Sequence, residues 1–94
     1  MKGIIMLEKQ ILIINKLGLH ARAAAKLIGV TSRFSCNIQI TKDGRDVDAK
    51  SIMSVMMLAA SKGTELTIKT EGEDQEEAMK AIETLINNRF DEDE

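Results

Sequence analysis

The stretch Ser35-Cys-Asn-Ile-Gln-Ile-Thr-Lys-Asp-Gly-Arg-Asp-Val-Asp48 decides the fold, because it predicts two strands joined by a tight turn. Apolar residues alternate with polar ones in its first half: Cys36, Ile38 and Ile40. This period of two predicts a strand over 35–41 with one buried face. The pair Asp43-Gly44 favours a hairpin turn, and Val47 then points inward from a return strand over 45–48. The stretch therefore predicts an antiparallel sheet with one face to cover.

Helical patterns precede and follow this hairpin, and their apolar faces can cover the apolar face of the sheet. From Ala21 onward, apolar residues recur on one helix face: Ala24, Leu27, Ile28 and Thr31. A second run with the same spacing contains Ala78, Ala81, Ile82, Leu85 and Ile86. Asp74, with Glu77 three residues later, resembles a capping box at its start. Between the two runs, Ser51 can cap a short helix over 52–58. Each long helix thus has an apolar face that a sheet can bury.

Two further strands complete the pattern. Residues 10–14 favour a strand with apolar residues on both faces, so we expect it to be covered on both sides. Residues 65–70 favour another strand, with Leu66 and Ile68 pointing inward. The resulting order, β-α-β-β-α-β-α, predicts an α+β fold. It is an open-faced sandwich, with a four-stranded, mostly antiparallel sheet and three helices on one face. We expect one domain over residues 1–90 and a disordered acidic tail over 91–94.

Composition excludes several classes of function. The chain has 94 residues, and its longest unbroken apolar run, residues 55–60, is far shorter than the roughly 18 residues that a membrane helix needs. The apolar stretch that follows Lys2 is too short for a secretory signal. One cysteine excludes an internal disulfide framework and a zinc knuckle. The chain has no Trp or Tyr and only two aromatic residues, Phe34 and Phe90, which argues against a platform on which nucleic-acid bases stack. We expect a cytoplasmic protein with no metal, no cofactor and no membrane insertion.

Charge is distributed unevenly along the chain. Residues 1–47 contain eight Lys and Arg against three Asp and Glu, whereas residues 48–94 contain five against twelve. The only histidine, His20, lies inside the basic half. Such a region attracts an anion or an acidic partner surface, although it could also be an ordinary solvated basic face.

His20 is the residue at which chemistry is most plausible. It lies between a glycine-containing loop and the start of the first helix, whose backbone N–H groups, with that of Ala21 among them, can bind a phosphate. Arg22 adds a guanidinium that can meet phosphoryl oxygens. Histidine is partly neutral near pH 7, so a ring nitrogen can act as a nucleophile. The alternative is a histidine that only caps the helix or is merely exposed.

Other residues that could carry chemistry have simpler interpretations. Cys36 occupies an inward strand position and is read as a small core residue. Three methionines crowd the short helix: Met53, Met56 and Met57. Some can pack into the core, and the others predict an adaptable apolar surface for partner proteins. Neither a Ser-His-Asp set, a glycine-rich phosphate loop nor a His/Cys metal cluster is indicated.

A resemblance to a known family accounts for these features together. The segment Asn15-Lys-Leu-Gly-Leu-His-Ala-Arg-Ala-Ala24 resembles the active-site segment of the HPr family, the histidine-containing phosphocarriers of the bacterial phosphotransferase system. Residues 49–53, Ala-Lys-Ser-Ile-Met, resemble that family's regulatory serine segment. Residues 62–68 and 71–78 are similar to its last strand and to the start of its last helix. The similarity extends from about Leu7 to Asn88.

The resemblance implies a function and a set of site residues. His20 would accept a phosphoryl group on Nδ1 from enzyme I, which takes it from phosphoenolpyruvate, and pass it to IIA-type domains for sugar uptake or regulation. Arg22 matches the family's active-site arginine. Ser51 matches the serine modified by HPr kinase/phosphorylase. The partner-binding residues would be Ala25, Lys26, Ile52, Met53 and Met56. The protein would be a phosphoryl-transfer intermediate and a monomer rather than a stand-alone enzyme.

The sequence departs from the family pattern at several positions. Ala23 replaces a proline that usually follows the arginine, and Gly29 and Ser32 stand where the family has two helix lysines. Residues 57–63 resemble the nitrogen-related branch, whereas residues 50–53 resemble the sugar branch. Residues 1–5 precede the usual start of the family. Two alternatives stay open, a regulatory binding module that never carries phosphate and a small nucleic-acid-binding domain, and the acidic overall charge disfavours the second.

Overall fold

The computed structural model describes residues 6–94, and the predicted order of elements is confirmed there. The strands are β1 (Leu7–Leu12), β2 (Asn37–Lys42), β3 (Arg45–Asp48) and β4 (Glu65–Glu71). The helices are α1 (Ala21–Thr31), α2 (Ile52–Met56) and α3 (Gln75–Asn87), followed by a 3-10 turn, Arg89–Asp91. The expectation that residues 1–5 are an added segment lies outside the described residues.

The four strands form one sheet in the order β1-β4-β2-β3. Every pairing is antiparallel, with Ile11 opposite Leu66 and Ile40 opposite Ile68. These apolar pairs share the face that the helices cover, and Ile40 and Ile68 are fully buried there. The predicted open-faced α+β sandwich is therefore confirmed. No helix within residues 6–94 has the length and apolar character to cross a membrane.

The first strand differs from its prediction in place and in environment. It begins at Leu7 rather than at residue 10, because pairing with β4 extends from Leu7 opposite Thr70 to Leu12 opposite Glu65. The expectation that both its faces are covered is wrong: Leu12 is 49% exposed on the open face of the sheet, whereas Ile11 and Ile13 are buried. Apolar residues do lie on both faces of this segment, but only Ile11 and Ile13, on the face that the helices cover, reach the core.

The hairpin turn forms as its local sequence predicts, whereas the end of helix α2 does not. Asp43 and Gly44 both have positive φ, 53° and 79°, as the hairpin signal requires. Helix α2 ends two residues earlier than predicted, at Met56, because the chain turns at Ala59, which has a φ of 52°. The Lys42 ammonium group then donates to the carbonyl of Leu58 at 2.8 Å, which secures the end of this segment.

The predicted capping box at the start of α3 is wrong. Asp74 lies at the N-cap position, but its side chain makes no capping hydrogen bond. Its carboxylate instead accepts the backbone N–H groups of Ser35 and Cys36, at 2.9 and 3.0 Å. Asp74 therefore joins the start of α3 to the chain just before β2, a contact across the fold that local sequence could not indicate.

Candidate functional site

His20 lies at the N-cap of α1, where the loop from β1 turns into the helix. Its backbone is extended, with φ −78° and ψ −179°, and its carbonyl accepts the N–H of Ala24 at 2.8 Å. Its ring nitrogen Nδ1 accepts the backbone N–H of Arg22 at 3.3 Å. The ring is thus a side-chain cap of the helix, and Nδ1 faces the N–H groups and the positive end of the helix dipole. The capping interpretation and a chemical role for Nδ1 are compatible.

The loop before His20 is fixed by a glycine and a buried amide. Gly18 has a φ of 71°, and a Cβ there would lie 2.6 Å from the carbonyl oxygen of Ala60, so no other residue fits. The next residue, Leu19, donates to that same carbonyl at 2.8 Å. The side chain of Asn15 is fully buried and donates to the Gly18 carbonyl at 2.8 Å. The sequence Asn-Lys-Leu-Gly-Leu therefore gives a loop that is rigidly seated on the chain after α2.

The other predicted phosphate-binding residues follow His20 directly in the chain. Ala21 and Arg22 are exposed in the first turn of α1, and both line an open cleft of about 680 Å³ together with His20. Within residues 6–94, the guanidinium of Arg22 has no hydrogen-bond or ion-pair partner, so it can turn toward a ligand. Of the small residues that follow, Ala23 and Ala24 are buried in the core rather than lining the approach.

Sequence reasoning missed a carboxylate at this site. Glu92 lies against His20, with its Oε2 hydrogen-bonded to Nε2 on the ring edge opposite Nδ1. Its Oε1 accepts from the Asn15 amide at 3.0 Å. Burial opposes ionisation of Glu92, but the hydrogen bonds from Asn15 and His20 and the charge of Lys26 bring its pKa below the ordinary value. The sequence predicts disorder over residues 91–94, whereas the structure describes this segment in contact with Asn15, His20 and Lys16. The domain boundary at residue 90 stays a prediction.

The acidic tail also changes the electrostatics of the site. The Lys16 ammonium lies 3.1 Å from a carboxylate oxygen of Glu94, and that of Lys26 lies 3.6 Å from one of Asp91. The basic region predicted around His20 is therefore partly neutralised by residues from the other end of the chain. Among the cations around His20, Arg22 is the one that makes no ion pair within residues 6–94, and it lines the same cleft as acidic residues of the tail.

Ser51 and the methionines lie on the neighbouring helix α2. The Ser51 hydroxyl caps α2, accepting the N–H of Ser54 at 3.3 Å, as predicted. Apolar side chains are exposed beside it: Ile52 (38%), Met53 (70%), Met56 (41%) and Met57 (61%). Leu17, in the active-site loop, is 67% exposed and was not singled out from the sequence. We call Leu17, Ile52, Met53 and Met56 the apolar patch.

Cys36 is excluded from this site. It lies directly before β2 and is buried, as predicted. Burial and the hydrogen bond to Asp74 raise the pKa of its thiol to about 11. Such a thiol is almost entirely protonated near pH 7 and is a poor nucleophile. In the described part of the chain, no three potential ligands come together to hold a metal ion.

Comparison with known proteins gives a consistent result. The sequence profile of the family described as "PTS HPr component phosphorylation site" matches residues 7–88. The chain is 59% identical to the phosphocarrier protein HPr of Pseudomonas aeruginosa over 86 residues, which cover 90% of this chain and 96% of that protein. The crystal structure of HPr-C-His from Thermoanaerobacter tengcongensis superimposes with a TM-score of 0.91 at 45% identity, over 94% of this chain and 99% of the other. A structure described as an HPr dimer from the same organism gives a TM-score of 0.75 at 44% identity, over 98% and 100%.

Proposed function

The chain belongs to the PTS HPr family and is a phosphocarrier protein of the phosphotransferase system, and on that premise we propose that His20 carries the phosphoryl group on Nδ1. One observation carries this assignment. Nδ1 of His20 points at the first backbone N–H groups of α1, where a phosphoryl group on that nitrogen would be met by hydrogen-bond donors and by the positive end of the helix dipole.

The proposed reaction needs no proton transfer. The lone pair of Nδ1 attacks phosphorus, a bond from nitrogen to phosphorus forms, and the bond to the donor breaks with its electrons remaining on the donor. The N–H of Arg22, which now donates to Nδ1, is released to a phosphoryl oxygen. The guanidinium of Arg22 supplies a second, bidentate contact to the charge that develops. Transfer onward to an acceptor is the reverse of these steps.

The donor is phospho-enzyme I and the acceptors are IIA-type domains. Both would dock on the apolar patch, with Ala25 and Lys26 of α1 beside it. Ala25 is exposed and Lys26 is half-buried. The close seat of the active-site loop on Ala60 joins this loop to the chain after α2, so His20 and the patch form one surface. An apolar centre with cations at its rim suits partners with a partly apolar, acidic face.

Ser51 is proposed as a second, regulatory phosphorylation site for HPr kinase/phosphorylase. Ser51 is half-buried at the N-cap of α2, and the exposed residues Ile52 and Met53 of the patch follow it in the chain. A phosphate adds about −1.5 to −2 charge, which an N-cap tolerates but which repels an acidic partner. Regulation would then act on docking, and not on the chemistry at His20.

The protein is further proposed to act as a cytoplasmic monomer without a cofactor. A carrier that meets two partners in turn must keep one surface open to both, and pairing of two copies over the patch would close it. Light scattering at working concentration tests the oligomeric state. Whether the chain serves sugar uptake or the nitrogen-related branch is tested by offering the phosphorylated protein to IIA domains of each kind.

Intact mass spectrometry tests the central assignment. The protein is incubated with phosphoenolpyruvate and enzyme I, and its mass is measured before and after mild acid. We expect one phosphoryl group that acid removes, as a phosphoramidate requires, and none on His20→Ala. A phosphoryl group that enzyme I places on His20→Ala would overturn the assignment. Wild-type protein that stays unmodified would favour the regulatory module that never carries phosphate.

A further inference from the structure

Both nitrogens of the His20 ring have hydrogen-bond partners, and the two partners differ in kind. Nδ1 faces a donor, the backbone N–H of Arg22 at 3.3 Å, and must therefore accept. Nε2 faces the carboxylate of Glu92, which can only accept while ionised, so Nε2 must donate. Together the two contacts assign the ring proton to Nε2 and the lone pair to Nδ1.

We propose that Glu92 is a positioning residue for phosphoryl transfer, which holds His20 as the Nε2–H tautomer with Nδ1 free to attack. This role rests on the proposed function of His20. It also extends to the product: once Nδ1 has bonded to phosphorus, the ring still carries its proton on Nε2 and has a positive charge. The carboxylate of Glu92 lies directly beside that charge, and so stabilises the phosphorylated ring.

The tail is built so that Glu92 alone reaches the ring. The Glu92 side chain is 18% exposed, whereas those of Asp91 and Glu94 are 54% and 69% exposed. Asp91 and Glu94 are drawn to Lys26 and Lys16, the cations that flank the site. The amide of Asn15, itself fully buried, fixes the second carboxylate oxygen of Glu92 and so sets its orientation. The burial of one acidic side chain, while its neighbours stay exposed, indicates a specific role for Glu92.

An unfavourable backbone turn directs the tail to the site. Arg89, Phe90 and Asp91 have φ of 57°, 53° and 64°, three successive residues in the left-handed region that non-glycine residues avoid. Phe90 is fully buried, and its carbonyl accepts from the Lys26 ammonium at 3.1 Å. These contacts hold the turn, which reverses the chain after α3 and brings Glu92 to His20. Backbone strain that persists beside a reactive group is typical of functional sites.

Two substitutions of Glu92 separate its charge from its shape. Glu92→Gln keeps the size, but an amide offers one acceptor and one donor where the site presents two donors, Nε2–H of His20 and the Asn15 amide. If the new amide oxygen accepts from Asn15, the amide nitrogen points at Nε2. This arrangement favours the tautomer whose ring proton is on Nδ1. Glu92→Ala removes both contacts, so that the ring keeps its hydrogen bond from the backbone N–H of Arg22 and loses the one at Nε2. Asp93→Asn, which removes one charge from an exposed neighbour in the same tail, is the matched control.

Nitrogen NMR of the ring gives a readout that a merely structural role would not move. In the full-length 15N-labelled protein at alkaline pH, we expect wild type and Asp93→Asn to show a protonated Nε2 and an unprotonated Nδ1. Glu92→Gln should shift the Nε2 signal toward that of an unprotonated nitrogen, and Glu92→Ala should shift it less. Ring nitrogen shifts that are unchanged in both Glu92 variants would overturn the proposal.

Phosphorylation by enzyme I, followed by intact mass at short times, gives the second readout. We expect both Glu92 variants to reach one phosphoryl group per chain, about tenfold more slowly than wild type and Asp93→Asn. Equal or faster phosphorylation of Glu92→Ala would overturn the positioning role and show that the tail only covers the ring. Failure of wild-type protein to be phosphorylated on His20 is a different result, since it removes the proposed function itself.

Discussion

Helices α1 and α2 begin in the same way but in different surroundings. Each has a side-chain cap at a distance of 3.3 Å, from Nδ1 of His20 to the N–H of Arg22 and from the hydroxyl of Ser51 to the N–H of Ser54. Around His20 lie the exposed side chain of Arg22, two lysines that pair with acidic residues, and the carboxylate of Glu92. Around Ser51 lie exposed apolar side chains, chiefly Ile52 and Met53.

This difference shows how one type of local structure serves two purposes. A helix start favours a negatively charged group in both places, so neither phosphorylation should disturb the fold. At α1 the capping residue is itself a nucleophile, and the groups around it can bind a phosphoryl group and stabilise the phosphorylated ring. Phosphoryl transfer requires both. At α2 the surroundings supply a contact surface, which a new charge can only spoil. The comparison therefore predicts that changes at α1 alter chemistry and that changes at α2 alter docking.

The largest effect is expected at Arg22. Arg22→Lys keeps the positive charge but replaces a planar fork with a point charge, so one oxygen of the phosphoryl group loses its contact. A charge-assisted hydrogen bond is worth on the order of 1.5–3 kcal/mol, which is roughly a ten- to hundredfold loss in rate. Rapid-quench kinetics with enzyme I measure kcat/KM. Arg33→Lys, the same change at an exposed position past the end of α1, is the control. Equal rates for Arg22→Lys and wild type would reduce Arg22 to a surface cation.

The next effect should be seen on the apolar patch, as a loss of binding. Met53 is 70% exposed on α2, and Met53→Glu places a charge where an acidic, partly apolar partner must dock. We expect enzyme I to bind about tenfold more weakly, with stability unchanged, and association to slow as salt is raised. Leu12→Glu makes the same kind of change on the open face of the sheet and should leave binding intact. If Met53→Glu binds enzyme I as tightly as wild type and the association rate does not depend on salt, docking must use another surface.

The α1 site was largely predictable from sequence, whereas its acidic partner was not. A lone histidine between a glycine loop and an apolar helical repeat is a local signal, and residues 15–24 contain all of it. Glu92 depends on a left-handed turn at Arg89–Asp91 and on the burial of Phe90, which no periodicity marks. Asp74 was misread for the same reason, because its partners are distant N–H groups rather than the helix it precedes. Local patterns thus predicted elements and caps, and missed contacts made across the fold.

A several-fold effect is expected at Ser51, and two substitutions separate its two roles. Ser51→Asp keeps an acceptor at the N-cap, so the melting temperature should hold, but its charge should slow phosphorylation of His20 by enzyme I several-fold. Ser51→Ala removes the cap without adding charge, so it should lose about 1 kcal/mol of stability and keep the rate. Thermal unfolding and phosphorylation kinetics on both variants test this. A fast Ser51→Asp would leave Ser51 with its capping role alone.

The smallest functional effect is expected at the start of the third helix, where the N-cap residue carries no phosphate role. Hydrogen bonds, chiefly from the Ser35 N–H, lower the pKa of Asp74 from its ordinary value of 3.8, so the folded state favours the ionised carboxyl. Its contribution to stability is therefore complete well above pH 3.8 and is lost as pH falls through the lower pKa of the folded protein. Asp74→Asn offers one acceptor to the two N–H groups of Ser35 and Cys36, and should lower the melting temperature at pH 7. The gap to wild type should narrow on acidification, while phosphorylation of His20 stays at the wild-type rate. Glu73→Gln, an exposed neighbour, should change neither quantity, and a gap that persists unchanged at low pH would mean that the Asp74 carboxylate charge is not what joins α3 to β2.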